Sequence, residues 1–444
     1  MKKIITTLTI FTFSCLSVHA GGLFTNTSYH AAYERMLARG ATTEIDAVFS
    51  NPAGIVWGDD GWKASFNWLF THQDRDIIST FPLYTDENHT HKYKSDASAP
   101  FVPSLFASYK HNRWSASAAI GIIASGGFMK YADCLPMIIA PLQAGIYQQT
   151  SLKYGVGLTP DNYTTDASIK AMQYVWGAQI SGAYRINDWL SASLGLRFNL
   201  YDGYYRGHAV MSSPSFGELV NLQLDCDQSG VGYTPIIGLN YHKGRLNVGA
   251  KYEFRTKIRT KNKTNQLSAF VGGNDISNSE IVEPYKDGAY TRNDLAGFFS
   301  IAAQYNFTNR LRAALEYHFF DEKNAKTAGE KQKELKHGTH EYIAGAEYDI
   351  NKTFTVSAGA QRSEFGHTDE WQSNTAFSID CWTFGTGGKV NVTDKLAFNI
   401  GLLYTLYDDD YTVKSDNYQN TGLEGSDKYH RTNYALSIGV DYKF

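Results

Sequence analysis

The stretch Trp62-Lys63-Ala64-Ser65-Phe66-Asn67-Trp68-Leu69-Phe70-Thr71 decides the architecture. Trp62, Ala64, Phe66, Trp68 and Phe70 fall on one side of an extended chain; Lys63, Ser65, Asn67 and Thr71 fall on the other. A period of two means a strand with one apolar and one polar face. The pattern recurs along the chain. Leu190, Ala192, Leu194, Leu196, Phe198 and Leu200 oppose Ser191, Ser193, Gly195, Arg197, Asn199 and Tyr201. Further copies run from Leu246 to Arg255, from Leu311 to Phe319, from Leu396 to Thr405 and from Asn433 to Phe444.

A soluble sandwich would use shorter strands, of about 5–6 residues. The apolar faces here are longer, and many end in Tyr or Trp. Strands of about 9–11 residues with an apolar band and aromatic ends suit a membrane barrel. The charged opposite positions, Arg197, Lys251, Glu253, Arg255, Arg312 and Glu316, then face a polar lumen as structural charges. Connections agree. Short turns fall at 110–113, 185–188, 242–245, 306–310, 349–352 and 391–395. Long polar loops fall at 73–98, 126–167, 203–229, 257–292, 321–338, 363–376 and 408–429. Six turns and seven loops separate 14 strands. The expected class is therefore all-β, a transmembrane antiparallel barrel.

Composition narrows the function. The net charge of -3 over 444 residues excludes nucleic-acid binding driven by counterion release. The four cysteines include no C-x-x-C pair, so a zinc ribbon is out. Beyond the amino terminus no run of 18 apolar residues offers a spanning helix. Met1-Lys2-Lys3, the apolar Ile4 to Val18 and the small-residue site Val18-His19-Ala20 form a signal peptide over 1–20. Cys15 opens a lipoprotein alternative, which Thr12-Phe13-Ser14 fits poorly. Cys134, Cys226 and Cys381 remain, read as unpaired thiols, with a disulfide between two of them the alternative. Residues 21–60 precede the first strand and carry a helical turn or two at 31–38. They end in the turn Asn51-Pro52-Ala53-Gly54 and read as a plug for the 61–444 barrel.

The segment from Tyr33 to Gly54, with its Asn51-Pro52-Ala53-Gly54, resembles the amino-terminal hatch of the FadL/TodX-type outer-membrane transporters of long-chain fatty acids and hydrocarbons. The turn Ala183-Tyr184-Arg185-Ile186-Asn187-Asp188-Trp189-Leu190-Ser191 is similar to that family's turn between its fourth and fifth strands. The resemblance implies a hatch-plugged barrel of 14 strands in a Gram-negative outer membrane, consistent with the count above. It also implies passive uptake: loops capture a hydrophobic small molecule, an interior pocket holds it, and it leaves sideways where the third strand kinks. Here that strand runs from about Trp114 to Ser125, and Gly121, Gly126 and Gly127 are the gate candidates.

The following loop is unusually apolar. Met137, Ile138, Ile139 and Leu142 read as an exposed capture surface, with packing of the loop against itself as the alternative. His89-Thr90-His91 and Asp408-Asp409-Asp410 read as ordinary loop residues, so no metal and no cofactor is expected. No G-x-S-x-G, H-E-x-x-H or phosphate loop occurs, and only His318 and Glu316, sharing a strand face, leave an enzyme conceivable. A general porin or adhesin on the same barrel is the other alternative. Expected partners are outer-membrane lipid and lipopolysaccharide, a hydrophobic substrate, and the barrel-assembly machinery reading the terminal Phe444. A monomer is expected.

Overall fold

Alternation at this length resolves into 14 antiparallel strands in the computed structural model, which describes residues 28–279 and 282–444. The expected signal peptide lies outside the described residues. The strands are β1 (Gly61–Thr80), β2 (Ser95–His111), β3 (Trp114–Tyr131), β4 (Thr164–Arg185), β5 (Leu190–Ser213), β6 (Gly217–Lys243) and β7 (Leu246–Glu253). They continue with β8 (Gly297–Asn306), β9 (Leu311–Asp321), β10 (Thr339–Asp349), β11 (Phe354–Glu364), β12 (Cys381–Asn391), β13 (Leu396–Tyr407) and β14 (Gly425–Lys443). Each pairs with its neighbours in sequence, and β14 returns to β1 from Lys63↔Lys443 to Thr80↔Ser426, which closes the barrel. Closure leaves no free edge.

The faces sort as alternation requires. Trp62, Phe66, Trp68, Leu194, Leu196, Ile438 and Tyr442 are exposed on the outside, while Ser65, Asn67, Arg197, Asn199 and Lys251 are buried inside. An outside this apolar has a hydrocarbon solvent, because water would not tolerate so continuous a band. The short-turn end lies where expected. The long-loop end does not: much of it is strand. Residues 203–229 form the upper halves of β5 and β6, paired continuously from Asp202↔Ser229 to Ser213↔Gly217 with one irregularity. The β7 strand resumes as Arg259–Val271 against the top of β6. Arg255 sits at that interruption. It is exposed, not lumenal, and donates to the Asn324 carbonyl.

Residues 28–57 lie against the inner wall. They include α1 (Ala31–Met36), α2 (Ala47–Ser50) and a 3-10 turn at Pro52–Trp57. The wall accommodates α1 along a track of glycines. Gly345, Gly359 and Gly385 are cross-strand neighbours on β10, β11 and β12. A Cβ on either of the first two would strike the Met36 carbonyl, and one on Gly385 the Glu34 carbonyl. Only glycine permits that approach.

Inward polar residues answer the backbone groups this irregular segment leaves over. Asn67 accepts from Ala31 N (3.0 Å), Glu316 from Gly40 N (2.8 Å), and Gln179 donates to the Val48 carbonyl (2.9 Å). Lys251 donates to the Phe49 carbonyl (2.8 Å) and Ser191 to that of Ala53 (2.7 Å). Buried backbone groups must be paired, so most of the lumenal polarity has this structural purpose. Arg35 and Arg39 pair with the fully buried Glu347, which Arg312 also reaches (2.7 Å). Lys389 reaches Glu44 (2.8 Å).

Candidate functional site

The wall of the barrel is incomplete at one place. Strands β2 and β3 pair from His111↔Trp114 up to Ser104↔Gly121, and again only at Asp96↔Lys130 and Ser95↔Tyr131. Between these, 97–103 and 122–129 make no ladder with each other. Two sequence features cause the gap. Pro100 and Pro103 lack the N–H that a ladder needs. On its other side β3 keeps pairing with β4 but slips register twice, at Ile122/Ala124 and at Ser125/Gly127. Two extra residues there bend β3 away from β2. Gly127 takes φ +76°, open to glycine at little cost. The bend is pinned from inside: Arg75 donates to the Gly126 carbonyl (2.8 Å), and Ser125 Oγ donates to the Gln173 carbonyl (3.2 Å).

Gly126 and Gly127 thus lie within the gap, and Gly121 marks its lower edge opposite Ser104. The gap is level with Leu69–Gln73 of β1, in the half of the apolar band nearer the long loops. Pro100 and Pro103 are the signal that reading for glycines alone misses.

Behind the gap is a cavity of about 310 Å³. Its lining includes Val102, Ile122, Ser125, Gly126, Gly127 and Met129 from the gap, Tyr29, Tyr33 and Leu37 from the amino-terminal segment, and Tyr407 and Phe377 opposite. Two cations face it. Arg75 and Arg431 are direct cross-strand partners on β1 and β14, like charges side by side. Arg75 otherwise bonds Gln73; Arg431 donates to the Phe377 carbonyl (3.2 Å), lies over the Tyr407 ring (4.9 Å), and has a buried Nε without a partner. Glu34, Glu322 and Glu341 line the same cavity, yet among the described residues neither arginine has a carboxylate within 4.0 Å. Above them His367 stacks between Phe365 and Trp371 (5.3 and 3.5 Å). Burial, reinforced by the Arg431 guanidinium, holds its pKa down at about 3.

The long-loop mouth is occupied by α3 (Pro136–Tyr154), a helix where a loop was expected. Met137, Ile138, Ile139 and Leu142 are 7, 8, 5 and 2% exposed, so the expected exposed surface is not one. They belong to the largest apolar cluster among the described residues, which also holds Tyr84, Tyr93, Ile169, Tyr205, Met211 and Tyr429. Met137 N donates to Asn374 (2.7 Å), tying α3 to the loop before β12. Ile138 still borders a small apolar crevice of about 50 Å³ with Leu222, Leu267, Val282 and Tyr285.

Asn51 is buried. Its side chain donates to the Leu239 carbonyl (2.9 Å) and accepts from Ala53 N (3.3 Å), linking the turn to β6. Pro52 starts the 3-10 turn, and a Cβ on Gly54 would strike the Thr42 carbonyl. His318 joins Glu316 (2.7 Å) and Glu341 (2.8 Å) inside the wall, an arrangement that anchors Gly40. Asp408 takes both Arg362 nitrogens (2.7 and 2.8 Å), and Asp410 pairs with Lys428 and His430. Cys134, Cys226 and Cys381 are buried free thiols.

No family model and no curated protein matches this sequence. Solved structures do. A Pseudomonas aeruginosa FadL homologue aligns at 13% identity over 95% of this chain and 99% of its own, TM-score 0.67. The P. putida toluene transporter TodX aligns at 15% identity over 91% and 95%, TM-score 0.58. The Ralstonia pickettii toluene transporter TbuX aligns at 12% identity over 90% and 94%, TM-score 0.57. Coverage of nearly the full length in both directions, at identities this low, speaks to architecture: the chain has the fold of the FadL and TodX transporters.

Proposed function

We propose that this protein takes up hydrophobic molecules across the outer membrane of a Gram-negative bacterium, without an energy source of its own. The observation that carries the reading is the break between β2 and β3 opening onto an interior cavity at the depth of the apolar band. Residues 28–57 act as a hatch: they fill the lumen, so a molecule in the cavity has a sideways route into the bilayer rather than an aqueous route down the axis. Sideways exit suits cargo that water rejects by about 0.8 kcal/mol per methylene. An open polar porin has no use for such a plug. Capture begins at the apolar crevice beside Ile138, and α3 must shift to connect it with the cavity.

Arg75 and Arg431 narrow the cargo. Two guanidiniums without a carboxylate between them favour an amphiphile with an anionic head, such as a long-chain carboxylate, over a neutral hydrocarbon. The head would sit at the arginines and the chain would lead to the opening.

Deleting Ile123 and Gly126, the two residues β3 carries in excess of β4, restores an unbroken register with β4, and replacing Pro100 and Pro103 with serine in the same variant returns the N–H groups β2 needs to pair with β3. Uptake of radiolabelled dodecanoate by cells should fall to background, with surface levels matched to the parent. Uptake unchanged in a barrel of native heat-modifiable mobility would refute lateral exit.

A further inference from the structure

One strongly charged surface has no part in this route. Above β7 the strand resumes after an interruption, and Arg255 is the residue at which the alternation changes phase. Tyr252 and Phe254 point outward below it; above it Lys257, Arg259, Lys261 and Lys263 point outward, while Thr256, Ile258, Thr260 and Asn262 point inward. The result is a basic ladder on the lipid side of the wall, starting at the aromatic rim of the apolar band. Arg259 and Lys261 lie over the Tyr290 ring (4.0 and 5.8 Å). Among the described residues, no carboxylate lies within 4.0 Å of any of the four. The nearest acidic cross-strand neighbours on β6, Asp225 and Asp227, are taken by Arg206 (3.1 and 2.8 Å).

We infer that this ladder binds the phosphorylated head of an outer-leaflet glycolipid, lipopolysaccharide, at the rim of the barrel. The argument is position and charge together. Cations that begin where the aromatic rim ends meet the head-group layer, and a row rising from it follows a head group that extends away from the bilayer. Four unpaired positive charges in one line are costly for the protein alone and favourable beside a polyanion. The inward side of the same strand is uncharged, so the lumen does not explain the pattern. The inference rests on the outer-membrane placement proposed above, and not on uptake.

The test uses the full chain in detergent and purified rough lipopolysaccharide, intact or enzymatically dephosphorylated. Replacing Lys257, Arg259, Lys261 and Lys263 with glutamine should weaken binding of the intact form about tenfold or more. Replacing all three lysines with arginine should preserve it. Rising salt should narrow the difference between parent and glutamine variant, and dephosphorylation should weaken binding to the parent. Equal binding by parent and glutamine variant, or equal binding of the two lipopolysaccharide forms, would overturn the inference. If the quadruple variant fails to fold, the pairs Lys257/Arg259 and Lys261/Lys263 are tested separately on the same criteria. Fractionation outside the outer membrane would instead refute the placement.

Discussion

At the scale of single residues, the informative ones break a local rule. Arg75 and Arg431 place like charges directly opposite across a strand pair, a destabilising arrangement in an antiparallel sheet. A ligand anion would relieve it. Replacing either with glutamine should weaken dodecanoate binding to purified protein by about tenfold to a hundredfold, since a hydrogen bond to a charged group contributes about 1.5–3 kcal/mol. Dodecanol, with the same chain and no charge, should bind parent and variants alike. Calorimetric titration of both ligands reads the result, and parallel losses would mean that the arginines only shape the cavity.

At the scale of elements, α3 is the mobile candidate because it is held by apolar packing and few polar ties. Each of Ile138, Ile139 and Leu142 contributes about 1.5–3 kcal/mol by burial, so serine at all three should unseat the helix without touching the wall. Cys134, just before α3, reports on this. Burial pushes its thiol up to about 12, so it is almost wholly protonated and sealed at pH 8. With Cys226 and Cys381 replaced by serine, maleimide should label Cys134 slowly in the parent and much faster in the triple-serine variant. Uptake at low substrate should fall in the same variant, because the crevice beside Ile138 loses its apolar wall. Labelling as slow as in the parent would mean that α3 stays seated without these side chains.

Across the whole molecule, the barrel and the amino-terminal segment inside it are stabilised by different interactions. Strand ladders hold the wall on either side of the gap between β2 and β3, whereas buried ion pairs and side-chain-to-backbone hydrogen bonds hold residues 28–57. Glu347 is shared among Arg35, Arg39 and Arg312. Replacing it with alanine leaves the buried Arg35 without a carboxylate, a defect of about 3–5 kcal/mol, while Arg39 keeps Asp46 and Arg312 keeps Asp349. The barrel should keep the heat-dependent gel mobility of the parent, while conductance in planar bilayers should rise if residues 28–57 plug the lumen as proposed and now loosen. A variant as tight as the parent would mean that backbone contacts such as Lys251 to Phe49 suffice to seal the lumen.

The wall is written into the chain locally. Period-two alternation depends only on neighbours along the chain and on which solvent each face meets, so strand number, short turns and lipid-facing residues were legible from Trp62 to Phe444. The amino-terminal segment was legible from Asn51-Pro52-Ala53-Gly54, and the bend in β3 from Gly126-Gly127. Tertiary structure decided what alternation cannot encode. Whether Ile138 and its neighbours meet water or one another depends on what packs above them, which no local pattern records. The phase change at Arg255 turned one expected lumenal charge outward, because a single extra residue in a strand exchanges its two faces. The glycine track under α1 and the opposed pair Arg75 and Arg431 join residues far apart in the chain, and only closure of β14 on β1 brings that pair together.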